Sequence, residues 1–191
     1  MPRAPSLPRG PACGLLVRRM AEMILLIRHA EKPDPNAGIA GVSLQGRRDP
    51  EGLAVRGWQR AGALAVRFGA PDVASRDAAW PRPLTLFAAV DPGRSHRPHL
   101  TLQPLSERLG VPILPLRCDD APGAAAALRG AAGPVLACWR HRELPALAHA
   151  LMPGPAVGVP AQWDEARFDL VWRIGPDGFT IVPQRLLAGD R

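Results

Sequence analysis

The residues with most chemistry to offer in this sequence are two arginine–histidine pairs, each directly after an apolar run. Arg28-His29 follows Met23-Ile24-Leu25-Leu26-Ile27, and Arg140-His141 follows Val135-Leu136-Ala137-Cys138-Trp139. Arg97 holds a comparable place, after the apolar run Leu84 to Val90 and a polar turn, with Pro98 beside it opening a helical pattern. Guanidinium forks match phosphate oxygens bidentately, and the amides of a helix N-terminus add partial positive charge. A neutral imidazole, with an unperturbed pKa of about 6.5, is a competent nucleophile toward phosphorus near neutral pH. Phosphoryl transfer asks chiefly for positioning and for neutralisation of the equatorial oxygens. Arginines and histidines supply both, so neither a metal nor another cofactor is expected, and the expected ligand is a small phosphorylated molecule.

These residues can meet only if the chain delivers them to one edge of a sheet. In an open α/β sheet, ligands bind beyond the carboxyl ends of the strands. The first apolar run is short and rich in branched residues, as in a strand buried on both faces. A Pro/Gly/Asp-rich loop follows from Pro33 to about Gly52. Leu53 to Phe68 then has helical periodicity, with Leu53, Trp58, Ala61, Leu64 and Phe68 on one face. Residues 69 to 83 are broken by prolines and form a loop. The second strand is Leu84 to Val90, and the next helix runs from Pro98 to Gly110, with Leu102, Leu105 and Leu109 along one side. A third strand is expected at Val111 to Leu114, a helix at Ala121 to Leu128, and a fourth strand at Val135 to Trp139. A helix carrying Leu144, Leu147, Ala148 and Leu151 comes next. Phe168 to Ile174 and Phe179 to Val182, joined by Gly175-Pro176-Asp177-Gly178, form a hairpin. Alternating strands and helices predict a three-layer α/β/α sandwich with a mostly parallel sheet and a C-terminal β-hairpin.

Several blocks, in order, carry a resemblance. Leu26-Ile27-Arg28-His29-Ala30-Glu31 resembles the Arg-His-Gly signature of the histidine phosphatase superfamily, with its phosphoglycerate-mutase-like fold. Gly57-Trp58-Gln59-Arg60-Ala61 is similar to that family's helix after the first loop. Ser95-His96-Arg97-Pro98-His99-Leu100-Thr101 resembles its second arginine block, in which a threonine follows the arginine by four. Trp139-Arg140-His141-Arg142-Glu143-Leu144 resembles the block holding the second histidine. The resemblance implies that His29 is the nucleophile that becomes phosphohistidine. It implies that Arg28, Arg97 and His141 bind the phosphoryl group and that His141 stabilises the transition state. Ala30 stands where glycine is commoner. The loop after the first strand lacks the asparagine and tryptophan pattern of a glycolytic mutase.

An alkoxide leaving group needs a proton, so an acid should sit near the bridging oxygen. Mutase-like members use a glutamate after the second arginine. Here that region offers Asp119 and Asp120 after Cys118, and Glu31 is the other candidate. Without an acid, good substrates have acidic leaving groups: acyl phosphates, phosphohistidine or aryl phosphates. His96 and His99 are expected on a surface turn, with the pocket rim as the alternative; Arg47 and Arg48 on a solvated loop, with a second anionic group as the alternative; His149 in a structural helix position; and Trp163 and Trp172 in core or rim packing.

Composition excludes other classes. A chain of 191 residues suits one domain, residues 21–191, after a disordered tail, residues 1–20. The formal charge of +7 invites a nucleic-acid reading, but Arg3, Arg9, Arg18 and Arg19 in the tail supply four of those charges. The other arginines are scattered, without the basic stripe and interleaved aromatics of a nucleic-acid groove. Cys13, Cys118 and Cys138 show no ligand or disulfide spacing, which fits reduced cysteines in a cytoplasmic protein. No apolar run approaches the roughly 20 residues that span a membrane. The expectation is a phosphomonoester hydrolase acting through phosphohistidine. A phosphoglycerate mutase-type phosphotransferase and a non-catalytic phosphate-binding or regulatory module are the alternatives.

Overall fold

The computed structural model describes residues 21–69, 80–91 and 96–191. The expected tail at 1–20, most of the loop at 69–83, and residues 92–95 of the turn before Arg97 lie outside the described residues.

The first strand, β1 (Ile24–Arg28), is buried along its whole length. Alternation sends Leu25 and Ile27 into one core and Ile24 and Leu26 into the other, so every side chain of this short run is used. β1 lies inside a six-stranded sheet with β4 (Thr85–Val90), β5 (Ile113–Arg117), β6 (Val135–Trp139), β7 (Leu170–Gly175) and β8 (Gly178–Pro183), in the order β5-β4-β6-β1-β7-β8. The pairs β1/β6, β4/β6 and β4/β5 are parallel, and the C-terminal hairpin β7/β8 adds antiparallel to the β1 edge. Pro115 sits in β5, the outermost strand, where a missing amide costs the sheet no partner.

Helices cover both faces. On one, α1 (Val55–Gly69) sends Leu64, Ala65 and Phe68, and α2 (Arg97–Leu109) sends Leu102 and Leu105, onto Leu25, Ile27, Leu86 and Leu136. On the other, α3 (Ala121–Gly130) and α4 (Leu144–Leu151) pack Leu128, Leu144, Leu147 and Leu151 against Leu26, Phe87, Ala137 and Trp139. Trp163 and Trp172 belong to this second core, with ring centroids 4.9 Å apart. Gly110 ends α2 with φ of 67°, the left-handed cap that glycine adopts without strain.

Several boundaries differ from the sequence expectation: the hairpin's first strand begins at Leu170, and Phe168 stays in the preceding loop. Leu53 and Ala54 do not start the first helix. They form β3 (Leu53–Ala54), which pairs antiparallel with β2 (Gly41–Val42), and Ala54 donates its amide to the Glu31 carbonyl at 2.9 Å. Helical spacing of apolar residues cannot reveal a two-residue ribbon that long-range backbone bonds create. The third strand begins and ends later than expected, at Ile113–Arg117, because its partners are the residues of β4 up to Val90.

Candidate active site

The sheet register brings the two arginine–histidine pairs side by side. Arg28 pairs with Trp139 across β1/β6, and the His29 amide donates to the Trp139 carbonyl at 2.9 Å. Beyond that bond both chains leave the sheet at its carboxyl edge. Thr101 ties the third element in. The Ala30 amide donates to Thr101 Oγ1 at 2.9 Å, and that hydroxyl donates to the Arg97 carbonyl at 2.8 Å. The threonine four residues after the arginine therefore fixes α2's first turn against the residue next to His29. Together these turns enclose an open cleft of about 1200 Å³ lined by Arg28, His29, Arg97 and His141, with Arg140 and His96 also at its wall. His96 was expected on a surface turn. It is exposed and lines the rim.

His29 is buried, at 6 % exposure. Its Nδ1 lies 2.8 Å from the Ala30 carbonyl, which can only accept, so Nδ1 carries the proton and the Nε2 lone pair is left for chemistry. Burial, then the positive charges of Arg28, Arg97 and His141, push its pKa down to about 3, against the opposing effect of the Ala30 hydrogen bond. The imidazole is neutral at any ordinary pH.

Arg28 is held by a loop that follows α4. Its Nη1 donates to the carbonyls of Glu165 at 2.5 Å and Arg167 at 3.3 Å, and its guanidinium lies 3.7 Å from the centroid of the Phe168 ring. That loop is itself pinned: Trp163 Nε1 donates to the Arg167 carbonyl at 2.8 Å, and Arg167 pairs with Asp169 at 2.6 Å. Burial lowers the Arg28 pKa to about 10, opposed by Glu165, Glu31 and Asp164, and the group stays charged. Arg97 donates to the carbonyls of Gly52 at 3.0 Å and Pro50 at 2.9 Å, and Glu51 lies 3.6 Å away. His141 Nε2 meets a carboxylate oxygen of Glu165 at 3.1 Å, so Nε2 is the protonated nitrogen. Burial, then Arg28, lowers its pKa, with Glu165 opposing. Arg28 Nε and His141 Nδ1 are buried without a protein partner. Arg140 turns to Asp91 and Glu143 and braces the β6 turn.

The three candidate acids lie elsewhere. Glu31 faces α1, where Arg60 takes it through Nε at 3.1 Å and Nη2 at 2.7 Å, and Arg60 also binds Asp190 and Gln184. Asp119 pairs with Arg117 at 2.6 Å on the surface. Asp120 caps α3 through the Gly123 amide at 2.9 Å. None of them lines the cleft; Glu51, Asp91 and Glu143 do. Among the described residues no cluster of three or more histidines, cysteines or acids is arranged to hold a metal. None of the helices described is long and apolar enough to cross a membrane.

Sequence reading missed Glu165 and Phe168, which reach the site from a loop without recognisable pattern. It also missed the buried role of Arg60, although Arg60 stands in a block singled out for its resemblance.

No protein-family model matches the chain, and no curated protein matches it. Solved structures do. A mycobacterial hydrolase superposes with a TM-score of 0.51 at 16% identity, covering 87% of this chain and 99% of its own. A mycobacterial glucosyl-3-phosphoglycerate phosphatase complexed with VO3 gives 0.49 at 18% identity, covering 85% and 97%. A second mycobacterial hydrolase gives 0.46 at 16%, covering 90% and 93%. The chain has the α/β fold of the first of these hydrolases, the phosphoglycerate-mutase-like sandwich that its sequence blocks predict.

Proposed function

We propose that the protein is a phosphatase of the histidine phosphatase superfamily, cleaving a phosphate monoester through a phosphohistidine at His29. One observation carries the reading: a neutral imidazole, its Nδ1 proton committed to a carbonyl, faces a cleft walled by Arg28, Arg97 and His141. In the first step the Nε2 lone pair forms a bond to phosphorus as the bond to the leaving oxygen breaks. The imidazolium that results keeps its Nδ1 proton on the Ala30 carbonyl. Arg28 and Arg97 neutralise the equatorial oxygens. His141 offers a phosphoryl oxygen the Nε2 proton that it otherwise shares with Glu165. Water then attacks phosphorus, the P–N bond breaks, and phosphate leaves with His29 restored. The buried, unpartnered Arg28 Nε supports an anion site, because an unpaired buried polar donor costs about 1–3 kcal/mol until a ligand or water satisfies it. The buried free thiols of Cys118 and Cys138 support a reducing, cytoplasmic setting.

The test is phosphate release from a panel of phosphorylated metabolites and phosphopeptides. His29→Gln, which can still donate to the Ala30 carbonyl, should lose at least about a thousandfold in kcat. Undiminished release by that variant would remove the assignment.

A further inference from the structure

Beside the phosphate cleft lies a second hollow of about 820 Å³, within the size range of small-molecule sites. Its wall is Pro33, Ile39, Val42, Val55 and Phe168, and it shares Arg28 and Lys32 with the phosphate cleft. Ile39 and Val55 are 47% and 60% exposed, unusual for large apolar side chains in one hollow. The acids and the other arginine of its wall are turned to protein partners: Glu31 to Arg60, Asp34 to the Asn36 amide, Glu165 to His141, Arg56 to the Ala188 carbonyl. The surface it offers a ligand is therefore mainly apolar, with the Lys32 side chain among its polar groups. Phe168 joins the two sites, one face under the Arg28 guanidinium while its ring lines the hollow.

A separate observation concerns the proton. The carboxylates that line the phosphate cleft are each turned to an arginine, Asp91 and Glu143 to Arg140 and Glu51 to Arg97, and none stands free beside a leaving oxygen. A leaving oxygen that receives no proton must depart as a stable anion. A phenol, with a pKa of about 10, can do so. An alkanol, close to water's roughly 15.7, cannot at a useful rate.

We propose that the substrate is an aryl phosphate monoester, its aromatic leaving group seated in the hollow against Phe168, Ile39, Val42 and Val55. This rests on the phosphatase reading above. His29 Nε2 bonds to phosphorus, the P–O bond breaks with its electron pair on the aryl oxygen, and the aryloxide leaves to be protonated by solvent. Water then releases phosphate as before.

The test compares kcat/KM for 2-naphthyl phosphate, phenyl phosphate, glycerol 3-phosphate and acetyl phosphate. Acetyl phosphate has an acidic leaving group too small to need the hollow. Both aryl esters should exceed glycerol 3-phosphate by at least about 100-fold, with naphthyl above phenyl. Ile39→Asp/Val55→Asp, at two positions outside the buried core, should lower the naphthyl-to-acetyl ratio roughly tenfold, through KM. Turnover of acetyl phosphate with no aryl preference, or an unchanged ratio in the double variant, overturns the aryl assignment and leaves the phosphatase reading standing. Failure to hydrolyse either aryl ester also overturns the aryl assignment, and the phosphatase reading is then decided by the metabolite and phosphopeptide panel.

Discussion

Replacing His29 with glutamine should make the folded protein less sensitive to acid, whatever the substrate is. In the native state burial and the neighbouring Arg28 and Arg97 hold the imidazole pKa near about 3, whereas in the unfolded chain it returns to about 6.5. Between those values the unfolded state binds a proton that the native state refuses. The stability tied to His29 is therefore fully present above pH 6.5 and is lost as pH falls toward about 3. Each pH unit in that window corresponds to about 1.4 kcal/mol, so going from pH 7 to pH 5 costs the native protein about 2 kcal/mol through this one residue. Urea unfolding of native protein and His29→Gln at pH 7 and pH 5 reads the difference. His141 and the carboxylates titrate in both proteins and largely cancel in the comparison. The native protein should lose about 2 kcal/mol more than the variant. Equal losses would mean that His29 is not buried as a neutral group, and the derivation of a neutral nucleophile would fail with it.

Two further substitutions probe the supports of the site. Thr101→Val removes the hydroxyl that accepts from the Ala30 amide and donates to the Arg97 carbonyl. It should destabilise by about 1–3 kcal/mol in urea unfolding and lower turnover, because the amide next to His29 is left unsatisfied. Arg60→Met keeps the volume but strips Glu31 and Asp190 of a guanidinium that is only 2% exposed. A loss of about 3–5 kcal/mol in the same assay is expected, and a neutral result would show that the network is replaceable by packing.

How much of this was legible in the sequence depends on the range of each interaction. β1, β6 and their arginine–histidine endings could be read because a buried strand announces itself by an unbroken apolar run, and its end marks the sheet edge. The helices α2 and α4 were legible from leucines at three- and four-residue spacing, bounded by Pro98, Gly110 and Pro145. The ribbon of β2 and β3 was not, since its bonds join residues about a dozen apart with no alternating pattern. Glu165 meets His141, and Phe168 meets Arg28, only because a loop pinned by Trp163 folds back over the sheet edge. Glu31 looked like an acid beside a nucleophile. Yet consecutive residues leaving a strand point apart, and its carboxylate turns to Arg60 under α1. That helix approaches closely because Gly57 has no side chain to strike the Glu31 backbone.

The most direct test of the central claim is to quench the enzyme during turnover of acetyl phosphate and locate the phosphoryl group by mass spectrometry. An acid-labile, alkali-stable phosphoryl group on His29, absent from His29→Gln, is the predicted result. A label on any other residue, or turnover by His29→Gln at the native rate, would contradict it.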